Sequence, residues 1–174
     1  MSGIEPPDSF FVSSASGWLD FGLFEEGLKE LDAVRPKFQN HPDVAALRWT
    51  LNSRLGRWKE CAVVAERLIE VHPGNIEGWV QYAYATRRAP DGGLHEARRI
   101  LLTALDRFPA EPIIPYNLSC YDCQLGLNEE ALVWLALTLK RAGGKKDRRH
   151  WLEMALKDDD LEAVREAVQR LIAL

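Results

Sequence analysis

The chain has 174 residues, of which 47% are hydrophobic and 28% charged, and its formal net charge is −4. This length and composition predict one globular domain, and the acidic balance argues against a broad basic surface for nucleic acid. No apolar run approaches the roughly 20 residues that span a bilayer, and residues 1–8 lack the basic and apolar parts of a secretory signal. Three cysteines outside any dense framework favour a cytoplasmic location.

After a polar leader that contains Pro6-Pro7, Asp8 or Ser9 caps a predicted helix that runs to about Asp20. A second helix is predicted from Phe24 to about Arg35. The first helix is aromatic for a chain end, and two interpretations stay open. Its rings form a core face against the second helix, or they form an apolar end that pairs with another copy. The apolar residues concerned are Phe10, Phe11, Trp18, Leu19 and Phe21.

A repeated pattern organises the chain. Gly56 predicts a tight turn, and the amphipathic stretch after it stops near His72-Pro73. The same turn glycine and helix recur with steps of 34, 36 and 34 residues, and a two-residue insertion within 89–93 explains the longer step. A period near 34 is the signature of stacked helical hairpins. One turn into each second helix stands a small residue, which predicts that paired helices cross closely there. These residues are Gly27, Cys61, Ala97 and Ala131.

The same reading predicts about ten helices and no sheet. Beyond Gly143-Gly144 the pattern changes to a basic-to-apolar helix and a final helix, capped by Asp158–Asp160, with apolar residues at helical spacing. The middle and final helices are predicted at 42–56, 57–71, 75–88, 92–107, 111–125, 128–141, 145–157 and from 161 onward.

These motifs resemble those of tetratricopeptide-repeat (TPR) proteins. The run Trp79-Val80-Gln81-Tyr82-Ala83 is similar to the Trp-x-x-Leu-Gly start of a TPR first helix. The tract 116–121 together with 159–161 resembles an end-of-group variant found in bacterial TPR proteins. The resemblance implies an all-α TPR solenoid, a right-handed superhelix of stacked antiparallel helix pairs. Within 8–143 the four hairpins are 8–41, 42–75, 76–111 and 112–143, and 144–174 forms a two-helix C-terminal cap of a single domain.

The second hairpin departs from this pattern. Arg48 and Asn52 stand where the TPR consensus has apolar residues. An apolar stripe offset by one residue replaces them, so the first helix is rotated or its turn is one residue longer. The stripe consists of Val44, Leu47, Leu51 and Leu55.

Residue types that carry chemistry are sparse. Cys120 and Cys123 form a Cys-x-x-Cys in the middle of a predicted helix, whereas a redox pair needs a helix N-terminus and a zinc site needs four ligands. A structural role is favoured over a metal or redox role. The basic cluster between Lys140 and Arg149 reads as a solvated face, with docking of an acidic segment as the alternative. No catalytic residue, cofactor or metal is predicted, and the lone histidines His41, His72, His95 and His150 form no catalytic grouping.

In the TPR resemblance, first helices line a concave groove. Tyrosine and arginine, which are enriched at binding hot spots, are prominent among the residues that would face it. The chaperone-tail clamp of some TPR domains is not expected, because Val12, Ser16 and Leu47 occupy its polar positions. The predicted partner-binding residues are Arg48, Asn52, Gln81, Tyr84, Arg88, Tyr116, Asn117 and Gln124, with Cys120 beside them.

The resulting hypothesis is a non-catalytic, cytoplasmic protein–protein interaction module that binds a peptide or protein in its groove. Neither nucleic acid nor membrane is expected as a partner. The alternative is a structural role, either as a solenoid that self-associates through its aromatic N-terminal helix or as a secretion-type TPR chaperone.

Overall fold

A computed structural model describes residues 3–172, and within that range it contains ten α-helices and no strand. The all-α prediction is confirmed. None of these helices is both long enough and apolar enough to cross a membrane. The helices are α1 (Asp8–Asp20), α2 (Phe24–Asp32), α3 (Pro42–Arg54), α4 (Trp58–Val71), α5 (Ile76–Arg88), α6 (Leu94–Arg107), α7 (Ile113–Gln124), α8 (Asn128–Arg141), α9 (Lys145–Lys157) and α10 (Arg165–Ile172).

The chain divides into two compact units, one that ends at Gly93 and one that begins at Leu94. In the N-terminal unit, α1 packs on α2, α3 packs on both α2 and α4, and α4 packs on α5. In the C-terminal unit, α7 packs on both α6 and α8. The predicted third hairpin, 76–111, is shared between the units. The superhelix and the single domain expected from the resemblance therefore stay predictions, and the end of the predicted cap, 173–174, lies outside the described residues.

Three turns between paired helices have the same construction. Gly22, Gly56 and Gly126 have φ angles of +74°, +69° and +79°, in the left-handed region that favours glycine. The amide of the residue after each glycine donates to the carbonyl five residues earlier, at 2.9, 2.9 and 2.8 Å. This is the Schellman end of a helix. The turn glycines of the sequence repeat are therefore used alike in three hairpins.

The remaining turn differs, at the insertion that the spacing predicts. After α5 the backbone is extended at Ala89, and the amide of Gly93 donates to the carbonyl of Thr86 at 2.9 Å. A Cβ on Gly92 would lie 2.0 Å from that carbonyl oxygen, so the turn needs glycine there. The two extra residues thus replace a Schellman turn with a different one.

Three small residues of the repeat, Gly27, Cys61 and Ala131, lie where paired helices cross. Cys61, Ala97 and Ala131 are fully buried, and a Cβ on Gly27 would lie 2.9 Å from Leu51 Cδ2. The Oγ of Ser119 on α7 donates to the carbonyl of Ala131 on α8 at 2.8 Å. A side chain and a backbone carbonyl in direct contact leave no room for a larger residue. The predicted crossings of α1 with α2, α3 with α4 and α7 with α8 are therefore confirmed, and the crossing at Ala97 stays a prediction.

The aromatic N-terminal helix carries both core rings and exposed rings. Phe11 and Leu19 pack against the core formed by α1, α2 and α3. In contrast, Phe10 is 64% and Phe21 80% exposed. Because two large rings remain in solvent, the pairing of this end with another copy stays a prediction.

The start of α1 is anchored by a buried ion pair. The carboxylate of Asp8, fully buried, accepts from the backbone amide of Arg35 at 2.8 Å and from its Nε at 2.7 Å. Hydrogen bonding and charge from Arg35 hold the pKa of Asp8 below its usual value. The pair ties α1 to the segment that follows α2.

The final helix of the prediction is divided in two. Asp158 caps a 3-10 segment, Asp159–Val164, by accepting from the amide of Asp160 at 3.0 Å. Leu161 lies at a kink there, and α10 follows. The capping role of the aspartate run is confirmed, although the helix that it starts is not continuous.

Ala131→Leu should destabilise the fold by about 1–3 kcal/mol, because the added atoms overpack the α7–α8 crossing. Ala136→Leu is the matched control, since Ala136 is exposed on the same helix. Thermal unfolding followed by circular dichroism measures both. An unchanged melting temperature in Ala131→Leu would show that the crossing is not tightly packed.

Asp8→Asn should destabilise the protein at neutral pH and progressively less in acid. The folded-state pKa of Asp8 is lowered, so its stabilising effect is complete above the unfolded pKa of about 3.9. It is lost as the pH falls through the lower folded value. Urea unfolding of both proteins between about pH 7 and pH 3 measures the difference. A stability difference that grows in acid would contradict this assignment.

Candidate interaction surface

Tyr84 and Arg88, two of the predicted groove residues, lie near the end of α5 beside two tryptophans. The ring centroid of Tyr84 is 6.1 Å from that of Trp49 on α3 and 5.9 Å from that of Trp58 on α4. All four residues are partly exposed. They form one surface of the N-terminal unit, called here the aromatic face.

Arg88 is held against this surface as a preorganised cation. Its guanidinium carbon lies 3.5 Å from the Tyr84 ring centroid and 5.4 Å from that of Trp58. Its Nη1 donates to the carbonyl of Tyr84 at 3.2 Å. Within residues 3–172 no carboxylate pairs with Arg88, unlike Arg48 and Arg57. A stacked guanidinium keeps several N–H donors that a partner can use.

The indole of Trp49 gives the aromatic face an unsatisfied donor. Its Nε1 is shielded from solvent and has no hydrogen-bond acceptor in the described part of the chain. A buried polar group without a partner is destabilising by about 1–3 kcal/mol.

Arg48 and Asn52 line a different depression, between α2 and α4. Arg48 pairs with Asp32 of α2 at 2.7 Å, and Asn52 donates its amide to the carbonyl of Arg48 at 3.0 Å. Gln81 lies one turn before Tyr84 and donates to Glu77 at 3.1 Å. The predicted set therefore serves at least two surfaces of the N-terminal unit.

The predicted residues of α7 mostly contact the chain's own C-terminal segment. Tyr116 is only 5% exposed, and its hydroxyl donates to Asp158 at 2.9 Å. Gln124 donates to the carbonyl of Asp160 at 3.2 Å. Burial, and then the nearby Cys120 and Asp158, raise the pKa of Tyr116. The expectation that Tyr116 is open to a partner is thus corrected: Asp158 and the ring of Trp151 on α9, whose centroid is 5.1 Å from that of Tyr116, cover it. Asn117 stays partly exposed and donates to the carbonyl of Ile113 at 2.9 Å.

Two equivalent grooves lie between successive second helices. The α2–α4 groove has a volume of about 530 Å³, and the α6–α8 groove has a volume of about 290 Å³. Helices α4 and α8 have bounds exactly offset by 70 residues, as do the starts of α2 and α6. The shared lining positions follow the same offset: Leu28 and Arg98, Lys59 and Glu129, Glu60 and Glu130, Val63 and Val133, and Val64 and Trp134.

The smaller α6–α8 groove is lined by Arg98 and Trp134, which belong to a buried hydrogen-bond network. Asp122, fully buried on α7, accepts from Arg98 Nε at 2.5 Å and Nη2 at 3.1 Å. It also accepts from Trp134 Nε1 at 2.8 Å. The pKa of Arg98 is raised by this hydrogen bonding. At the equivalent position of the N-terminal unit stands Asn52, and the positions equivalent to Arg98 and Trp134 hold Leu28 and Val64.

The cysteines have the environment of structural side chains. Burial raises the pKa of Cys61 to about 12 and also raises that of Cys123, so both are protonated at neutral pH. Cys120 lies 3.5 Å from Asp158, and with Asp160 the three offer ligand atoms within 4.8 Å of one another. Asp158 already caps the 3-10 segment and binds Tyr116, so hydrogen bonding within the C-terminal unit accounts for this cluster.

Sequence reasoning missed Trp49 and Trp58 as surface residues. The sequence contained a signal for Trp49: it lies between the apolar positions Leu47 and Leu51, outside the stripe that faces the core, which indicates a surface position. The 70-residue equivalence of Val64 and Trp134 was also readable from the repeat spacing. Only the groove volumes show its consequence, because the groove with Val64 is larger than the groove with Trp134.

No family model matches this sequence, and no curated protein matches it.

Asp122→Asn should destabilise the C-terminal unit by about 1–3 kcal/mol. The amide presents an N–H₂ group where Arg98 and Trp134 both donate, so a buried donor loses its acceptor. Asp106→Asn, an exposed change on α6 of the same unit, is the control and should leave the stability unchanged. Urea unfolding monitored by tryptophan fluorescence measures the effect, and equal midpoints for the two variants would contradict it.

Proposed function

We propose that this chain is a non-catalytic protein–protein interaction module of the tetratricopeptide-repeat type, which binds a peptide or protein partner through the aromatic face. The observation that supports it is the assembly of Trp49, Trp58, Tyr84 and Arg88 on one surface, with Arg88 stacked and unneutralised. Tryptophan, tyrosine and arginine are the residue types most enriched at binding hot spots. The cytoplasmic location expected from the sequence is part of this proposal.

Each group on the aromatic face has a distinct role in this proposal. The rings supply rigid contact area with little loss of side-chain entropy. Arg88 supplies a directed positive charge with N–H donors that remain available. A partner that presents a carbonyl or carboxylate next to an apolar side chain would satisfy all of them.

The repeat type rests on separate support. Three Schellman turns at repeat positions and small residues at the helix crossings are what a stack of helical hairpins requires. The solenoid form follows from this reasoning and belongs to the proposal.

Tyr84→Ala combined with Arg88→Ala should weaken binding of a co-purified native partner at least tenfold, because truncation of a hot spot costs about 2 kcal/mol or more. Tyr84 also packs on two tryptophans, so Arg88→Gln is measured as well. That single change preserves the ring packing and should weaken binding about fivefold or more. Isothermal titration calorimetry with the purified partner provides the affinities.

Two controls complete this experiment. Arg54→Gln removes another cation from α3, where Arg54 is exposed, and should leave the affinity unchanged. Phe10→Ser combined with Phe21→Ser removes the exposed rings of the N-terminal end without touching the core. Unchanged affinity in Arg88→Gln together with loss of binding in the phenylalanine variant would contradict the proposed site.

The exposed N-terminal rings support a second candidate function, self-association of the chain as a structural component or as a secretion-type TPR chaperone. Phe10, Phe21 and Leu23 are 64%, 80% and 48% exposed, and an uncapped helical stack presents such apolar surface. Sedimentation velocity tests it. A concentration-dependent oligomer that Phe10→Ser with Phe21→Ser converts to a monomer would favour this function.

A further inference from the structure

The α2–α4 groove is a second site, independent of the aromatic face. It is shaped by α2 and α4, which both pack on α3, and ion pairs fix its sides. Arg57 at the start of α4 binds Glu25 of α2 at 2.5 Å, and Arg48 of α3 binds Asp32 of α2 at 2.7 Å. A volume of about 530 Å³ falls in the range of ligand sites in proteins.

The α6–α8 groove shows which side chains occupy the equivalent space in the C-terminal unit. There the indole of Trp134 lies over α7 and donates its N–H to Asp122, beside the guanidinium of Arg98. In the α2–α4 groove, valine replaces that tryptophan at position 64 and leucine replaces that arginine at position 28. The α2–α4 groove is therefore built from equivalent helices but lacks the residues equivalent to Trp134 and Arg98.

The polar end of the filled groove has a counterpart in the open one. Asn52, equivalent to Asp122, is only 5% exposed and lines the α2–α4 groove. Its Nδ2 donates to the carbonyl of Arg48, which leaves its Oδ1 as an acceptor for an incoming N–H. Leu28 and the 55%-exposed Val63 provide apolar walls.

No tryptophan of the N-terminal unit fills the space. Trp18 donates to Glu30, Trp79 donates to the carbonyl of Pro73, and Trp49 and Trp58 belong to the aromatic face. Glu60 on the rim carries no ion pair within residues 3–172, whereas the rim carboxylates Glu25 and Asp32 are both paired. The other two cations of the lining, Lys29 and Lys59, pair with Glu26 and Asp91 outside it. The charge left without a pair is that of Glu60, which is negative and complements a basic guest.

We propose that the α2–α4 groove binds a tryptophan side chain of a partner protein, with a basic residue next to it. The indole ring lies between Leu28, Val63 and Val64 and donates its N–H to Asn52. The neighbouring cation pairs with Glu60. This guest reproduces, from outside, the arrangement that Trp134 and Arg98 make inside the C-terminal unit.

The probe is acetyl-Trp-Arg-amide, titrated into full-length protein whose leucine and valine methyl groups carry ¹³C. Saturable shifts of the Leu28, Val63 and Val64 methyl signals are expected. Acetyl-Trp-Glu-amide should bind about two- to fivefold more weakly, the range of an exposed ion pair. Acetyl-Leu-Arg-amide should not saturate. Shifts that map to the aromatic face instead, or equal binding of the leucine peptide, would overturn the proposal.

Val64→Trp provides the decisive variant, because it fills the groove as position 134 does and should lower the affinity at least about tenfold. Val71→Trp is its control: Val71 is 50% exposed at the end of α4 and outside the groove lining, so binding should persist. Full affinity in a folded Val64→Trp protein would overturn the proposal.

Trp134→Val supplies a gain-of-function test that misfolding cannot imitate. It should open the α6–α8 groove and create a second set of saturable shifts at Val133. Absence of those shifts in the folded variant would contradict the equivalence of the grooves. Tyr84→Ala with Arg88→Ala should leave probe binding unchanged, which separates this site from the aromatic face.

Discussion

The close crossing of paired helices is the constraint on which the other features depend. A backbone can approach a neighbouring helix closely only where the side chain between them is small. Gly27, Cys61, Ala97 and Ala131 meet this condition at the same place in their helices. Within each unit, two second helices pack on one first helix: α2 and α4 on α3, and α6 and α8 on α7. The α2–α4 and α6–α8 grooves are the spaces between these second helices. Their positions therefore follow from the helix crossings, whereas the side chains that line them do not.

One position in the last turn of the first helices illustrates this separation of architecture from content. It holds Asn52 in one hairpin, Arg88 in the next and Asp122 in the one after, with the same 36- and 34-residue steps as the turn glycines. Asn52 lines an open groove, Arg88 stacks on Tyr84, and Asp122 binds Arg98 and Trp134. The backbone turn after this position is alike at Asn52 and Asp122. A change of residue at this position alters the chemistry of the neighbouring surface, and between Asn52 and Asp122 it leaves the backbone turn unchanged.

The sequence predicts the fold better than the site, for a physical reason. Helix number, turn glycines and crossings depend on local geometry and residue size, and both are readable from spacing. The bounds of α8 and α9 agree with the prediction, and α4 begins one residue later than predicted. Local signals mark these ends: Pro73 after α4, Gly143 and Gly144 between α8 and α9, and the aspartate run after α9. Tyr116 illustrates the limit: its position in α7 predicts a groove residue, but the segment that covers it comes from more than 35 residues later, at Asp158. A local pattern contains no information on such a contact.

Trp49 and Arg48 show how finely a surface depends on register. They are neighbours in sequence, and a step of one residue on a helix turns the side chain by about 100°. Arg48 therefore reaches Asp32 on α2, while Trp49 reaches Tyr84 on α5. A one-residue offset of the apolar stripe in α3 decides which residue faces which neighbour. The same offset gives this unit two distinct surfaces. One is the preassembled aromatic face with the unneutralised Arg88. The other is the α2–α4 groove, which lacks the tryptophan and arginine of its counterpart. In the proposed binding modes, the aromatic face recognises a partner by stacking and by the charge of Arg88, and the groove recognises an indole by shape, by a hydrogen bond to Asn52 and by the charge of Glu60.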